Sequence, residues 1–169
     1  MNPVLEAIKK RRSIRSYESK PIPRDIINTI IQAGNEAPSP MNSQPWRFVV
    51  VENKKVQQQF LRVAMPMKPF DQLEDTIYYS APIVLFVIGA GVYADHSCPL
   101  VCQNIMLAAY SLGLGSCSLG SGPIIKDDAE VRKILELKDN EKIFGPIILG
   151  YPKVYPDPPL KKEPIVKWV

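Results

Sequence analysis

A single histidine, His96, stands among 169 residues, which excludes any multi-histidine metal site. Cysteine is scarce too. Cys98, Cys102 and Cys117 form an odd set, which argues against a disulfide framework and for a reducing, cytoplasmic setting. His96, Cys98 and Cys102 share one short segment, but tetrahedral metal sites use other spacings and a fourth ligand. No metal is therefore expected, and the cysteines read as buried apolar residues. A nucleophilic pair of Cys117 and His96 lacks a visible orienting partner. Long apolar runs are missing: the longest, 81–91, is too short to span a bilayer, and charges at positions 6 to 12 leave no signal-peptide core. Gly113-Leu114-Gly115 lacks the third glycine of a dinucleotide fingerprint. Charge of one sign is not in large excess. With 21 basic and 17 acidic residues the net charge is +4, and no basic element interleaved with aromatics points to nucleic acid.

What is present fits one domain over 1–169, long enough to bury about 70% of its unfolded surface. The 17 prolines are scattered, dense only at Pro152, Pro156, Pro158, Pro159 and Pro164. Periodicity predicts a helix over 2–12, with Asn2 as N-cap and Pro3 at the first helical position. A second helix over 23–35 carries Ile26, Ile27, Ile30 and Ile31 on one side. Further helices are expected at 54–64, 97–112 and 127–137. Strands are expected at 48–51, 82–88 and 143–149, with a short one at 115–120. Residues 65–80 are ambiguous. Strands alternating with helices favour a helix-covered α/β sheet.

Two segments carry chemistry. Arg11-Arg12-Ser13-Ile14-Arg15-Ser16 puts three guanidiniums around a hydroxyl where the first helix ends. Arginine is always charged, and its planar fork matches phosphate oxygens. Basic residues also gather at helix C-termini because they complement the dipole, so both readings stand. The second segment is Ala37-Pro38-Ser39-Pro40-Met41-Asn42-Ser43-Gln44-Pro45-Trp46. Its prolines restrict the backbone and lower the entropy lost on ordering. Ser39, Asn42, Ser43 and Gln44 offer donors and acceptors without fixed charge, as a flavin ring requires at its pyrimidine edge and near N5. A plain Pro- and Ser-rich connection would look the same. Trp46 either closes the site or fills the core. Together the segments point to bound flavin mononucleotide, FMN.

These segments, with Leu112-Gly113-Leu114-Gly115-Ser116-Cys117 and the closing Leu149-Gly150-Tyr151-Pro152, resemble the nitroreductase family of FMN-dependent oxidoreductases in order and spacing. The resemblance implies an α+β fold with a mixed central sheet flanked by helices. It implies an intertwined homodimer, FMN at the interface, and a C-terminal tail exchanged with the partner subunit. Arg11, Arg12, Ser13 and Arg15 match the stretch that holds the phosphate and ribityl chain. Pro38, Ser39, Pro40, Asn42 and Gln44 match the loop that contacts the flavin from the other subunit. Gly120 and Ser121 match backbone positions near N5. Lys161 and Lys162 both match the family's basic tail position, in a loose register.

Departures from the family pattern fall at three places. Pro40 stands where a small residue is common. In Gln72-Leu73-Glu74-Asp75 only Gln72 suits the pyrimidine edge. The chain lacks the family's frequent insertion, leaving 65–80, with Met65, Met67, Lys68, Phe70 and Tyr78, as the material for a lid. The implied activity is ping-pong hydride transfer from NAD(P)H through FMN N5 to an electron-poor small molecule: a nitroaromatic, a quinone or another flavin. No side chain is assigned a catalytic acid or base role. The alternative is a non-catalytic FMN-binding redox sensor or flavin-storage module.

Overall fold

The computed structural model describes residues 2–68 and 77–169. Four strands form one sheet in the order β1-β2-β4-β3: β1 Trp46–Val51, β2 Ile83–Ala90, β3 Gly115–Ser118 and β4 Glu141–Gly150. Every neighbouring pair is antiparallel. A parallel component enters only through an isolated bridge between Ser13 and Ser116. The architecture is therefore α+β, as the resemblance implied, and not the α/β order that strand–helix alternation suggested.

Strand β2 explains the layers. It is rich in β-branched residues, and seven of its eight residues are buried. Val84, Phe86 and Ile88 face one way, into a cluster with Phe60, Leu61, Ile125 and Val131. These come from α3 Lys54–Ala64, α5 Gly122–Ile125 and α6 Ala129–Ile134. Phe60 meets Phe86 edge-on, with centroids 5.4 Å apart. Ile83, Leu85 and Val87 face the other way, onto α2 Arg24–Asn35 and α4 Ala94–Ser111. Helices thus cover both faces of an antiparallel sheet, and the central strand reads as one apolar run.

Helix ends differ from the sequence expectation where distant residues intervene. Asn2 caps α1 Pro3–Lys10 as expected, its side chain accepting from Val4 N at 2.9 Å. Helix α4 begins three residues before the expected 97, with Asp95 in its first turn and Pro99 tolerated inside. Helix α6 stops at Ile134, short of 137. Arg47 supplies the reason. Its Nη2 donates to the carbonyls of Leu135 and Glu136 at 2.9 Å each, and Glu136 sits at φ 50°. Short helix α5 and a 3₁₀ turn over Pro40–Asn42 were not anticipated. Phe70 and the 72–75 stretch lie outside the described residues.

The same guanidinium forms a two-point pair with Glu141, Nε to Oε1 at 2.8 Å and Nη2 to Oε2 at 2.7 Å. The Glu141 side chain is only 7% exposed. Hydrogen bonding from Arg47 holds its carboxyl below the ordinary value of 4.5, against the opposing pull of burial. A depressed carboxyl adds stability that is full above pH 4.5 and lost as pH falls through the folded-state value. Glu141→Gln, which weakens these charge-assisted hydrogen bonds, should lower stability by about 1.5 kcal/mol at pH 7. The gap from wild type, followed by denaturant melts, should close on acidification. A gap that stayed constant down to pH 3 would refute the pairing.

Candidate functional site

After α1 the chain turns extended at Arg11, the helix C-cap. Ile14 and Tyr17 are buried, at 1% and 6% exposure, so the residues between them turn outward. Two glycines clear their seats. A Cβ on Gly115 would lie 2.6 Å from Ile14 Cγ1, and one on Gly150 would lie 2.6 Å from Tyr17 Cδ1. On one side Ile14 N donates to Ser116 O at 2.9 Å. On the other, Glu18 N donates to Tyr151 O and Lys153 N to Ser16 O, both at 2.9 Å. The arginine segment is thus laced between β3 and the root of the tail.

A cavity of about 550 Å³ opens over it. Arg11, Arg12, Ser13 and Arg15 line one side, and Pro156, Asp157, Pro159 and Lys161 the other. Lys161, not Lys162, is the tail lysine that meets the arginines in this cavity. Arg11 Nε is buried and has no hydrogen-bond partner among the described residues. An orphaned guanidinium N–H is costly unless something accepts from it. Arg12 is partly spent locally: its Nη1 donates to the carbonyls of Lys9 and Arg11 at 2.7 and 2.8 Å, closing the end of α1. Arg11 and Arg15, the Ser13 hydroxyl and the ammoniums of Lys9 and Lys161 line one space against a single carboxylate, Asp157, and that donor set suits a phosphate.

The loop at 37–45 lies at the opposite end of the sheet. Met41, Asn42 and Gln44 all have positive φ, at 55°, 52° and 41°. Such residues cost about 1 kcal/mol or more each and persist only where the surroundings impose them. Gln44 N donates to Ser39 Oγ at 3.0 Å, and Asn42 N to Ser39 O at 3.0 Å. Pro45 O, at the loop's foot, accepts from Ala90 N at 3.0 Å. Trp46 packs on the core and donates from Nε1 to Asn35 Oδ1 at 2.9 Å, which favours the filling role over the closing one.

Gly120 and Ser121 sit just before α5, where Leu119 N donates to Pro146 O at 2.8 Å. Ser121 Oγ is buried and unpartnered among the described residues. Sequence reasoning had used Ser121 only for its backbone. It passed over Ser116, whose hydroxyl is also buried without a partner among the described residues, and Tyr17, whose hydroxyl donates to Ile14 O at 2.7 Å. The available signal was a pair of large apolar or aromatic residues, Ile14 and Tyr17, set among the polar Ser13, Arg15 and Ser16. One protomer thus holds the expected site residues in separate places: the cavity beside β3 and the tail, the 120–121 turn just past the C-terminal end of β3, and the 37–45 loop before β1 at the far edge of the sheet.

The thiols are inert by placement. Burial pushes Cys98 up to about 11 and Cys102 up to about 12. Cys98 Sγ lies 4.0 Å from Pro45 O and Cys102 Sγ 3.6 Å from Phe144 O. Cys117 is also buried. Native protein at pH 8 should give essentially no reaction with a disulfide dye, and all three thiols should react after unfolding. Rapid native labelling would contradict the packing. Among the described residues no group of three or more His, Cys, Asp or Glu side chains is placed to hold a metal, and no helix is long and apolar enough to cross a membrane.

Fold and site define an α+β protein whose helix-covered antiparallel sheet carries a basic, phosphate-suited cavity on one edge. The Nitroreductase family model matches residues 8–151, and the chain belongs to that family of oxidoreductases. It is 32% identical over 160 residues to a candidate NADH dehydrogenase/NAD(P)H nitroreductase of Methanothermobacter thermautotrophicus, covering 90% of this chain and 79% of the relative. A nitroreductase with bound FMN from Desulfitobacterium hafniense superposes with a TM-score of 0.87 at 25% identity, over 100% of this chain and 99% of the other. A nitroreductase with bound FMN from Bacteroides fragilis gives 0.75 at 33% identity, over 99% and 96%.

Proposed function

We propose that this protein is an FMN-dependent NAD(P)H oxidoreductase that acts as a homodimer in the cytoplasm. The observation that carries the reading is the cavity in which Arg11, Ser13, Arg15 and Lys161 converge around a buried, unpartnered Arg11 Nε. FMN held there would supply the redox chemistry for ping-pong hydride transfer from a reduced nicotinamide to an electron-poor small molecule such as a nitroaromatic, quinone or flavin. The chain's own part is to bind, orient and exclude. Arg11, Arg15 and Lys161 grip the phosphate, and Ser13 adds a neutral hydrogen bond. Their positive charge also favours an anionic, electron-rich ligand over a neutral one. The strained loop around Ser39 and Asn42 presents polar groups already held in place, so little order remains to be imposed on binding.

A second copy completes the site. The loop and the cavity of one protomer lie at opposite ends of the sheet, so a single ligand meets both most simply at an interface. Apolar surface supports this. Helix α1 buries none of its residues and exposes Val4, Leu5 and Ile8. Beside them a hollow of about 460 Å³ is lined by Ala33, Leu107 and Ala108 of α2 and α4. The tail exposes Leu160, Ile165, Val166 and Trp168 while forming no helix or strand of its own. So much uncovered apolar surface on a short chain favours burial against a partner.

The test is the visible spectrum of purified protein, repeated anaerobically with NADH or NADPH. Bleaching of a flavin band, followed by rapid recovery on adding a quinone or nitroaromatic, is the expected result. A flavin band that persists with both nicotinamides would favour a non-catalytic flavin module. Protein that stays colourless after incubation with FMN would overturn the proposal.

A further inference from the structure

We propose that Tyr17 is a positioning residue of the phosphate cradle, setting the arginine limb and the tail limb of the cavity against each other; this rests on the FMN reading above. Tyr17 lies outside the cavity lining, with 6% of its surface exposed. Its hydroxyl donates to Ile14 O at 2.7 Å. That bond spans Arg15 and Ser16 and fixes the peptide plane from which the Arg15 side chain departs. Its ring rests on Gly150, where any Cβ would collide with Cδ1. Its backbone bridges to Pro152, flanked by Glu18 N to Tyr151 O and Ser16 O from Lys153 N. Four residues beyond that bridge the tail reaches Pro156, and then Lys161, on the far side of the same cavity.

One side chain therefore registers both walls. The arginines leave the chain before it, the tail lysine leaves after the strand it pairs with, and the ring holds the two strands at a spacing that only glycine at 150 permits. The phenol stays protonated because it is buried, so the donor is present throughout the working pH range. Arg15 and Lys161 owe their convergence to this contact rather than to any bond between them, since both are long, flexible side chains that solvent would otherwise disperse.

Tyr17→Phe removes the hydroxyl and keeps the ring. Affinities for FMN and for riboflavin, which lacks the phosphate, are measured by quenching of flavin fluorescence in wild type, Tyr17→Phe, Arg15→Ala and the double variant. Weakening of FMN by about fivefold is expected, with riboflavin affinity and thermal midpoint nearly unchanged. In the Arg15→Ala background the same change should cost less than about twofold, since the group being positioned is gone. Equal weakening of FMN and riboflavin, loss of folding, or an unchanged FMN affinity would each overturn the proposal. Wild-type protein that binds neither flavin would instead overturn the FMN reading on which it stands.

Discussion

FMN affinity should fall at least tenfold when Arg11 and Arg15 are both replaced by alanine, while riboflavin affinity changes little. Each guanidinium contributes charge-assisted hydrogen bonds to the phosphate, worth ~1.5–3 kcal/mol apiece. The two share one anion, so their losses will not simply add. Structure sharpens the expectation for Arg11 in particular. Its Nε is buried and unpartnered among the described residues, an arrangement that costs stability until an acceptor arrives. Removing it should therefore leave the apo fold intact or slightly more stable, with all of the loss falling on the phosphate-bearing ligand. Titrating FMN and riboflavin side by side, at two salt concentrations, separates the outcomes. An FMN affinity equal to wild type would return the cluster to its other reading, a charge run matched to the dipole of α1.

Gly122→Ala should be the most damaging small substitution near the site. A Cβ there would lie 2.3 Å from Gly145 O, with Ile143 Cγ2 at 3.0 Å and Ile143 O at 3.2 Å. The nearest of these is backbone, and it belongs to the bulged first half of β4, where Gly145 itself sits at φ +102°. Neither side can yield by turning a side chain. A loss of about 3 kcal/mol or more is expected, together with displacement of Gly120 and Ser121. Gly120→Ala is the matched control, because a Cβ there meets nothing within 4 Å. Denaturant melts of the pair should differ by most of that amount. Equal stability of the two variants would mean that α5 does not pack on β4 as described.

The stability of the 120–122 turn also bears on chemistry. Leu119 N, which donates to Pro146 O, and the close approach of Gly122 to Gly145 O fix this turn against the backbone of β4. A backbone platform is less easily deformed than a side chain and costs no rotamer entropy when a ligand arrives. That suits the proposed task of holding and orienting a redox group.

Local order settled much of this protein in the sequence itself. Asn2 and Pro3 begin α1 because a side-chain cap and a preset φ act within one turn. The apolar, β-branched run at 83–88 becomes the central strand because it can be buried on both faces. Arg11, Ser13 and Arg15 line one cavity because they are neighbours in the chain. Contacts across long separations decided the rest. Helix α6 ends where Arg47, 88 residues away, takes hold of Leu135 O. Lys161 rather than Lys162 lines the cavity with the arginines because the tail folds back beside them, which no local signal in the sequence specifies. Gly115, Gly122 and Gly150 carry no local signal distinguishing them from other glycines. Only packing reveals which of them a neighbouring residue has already filled.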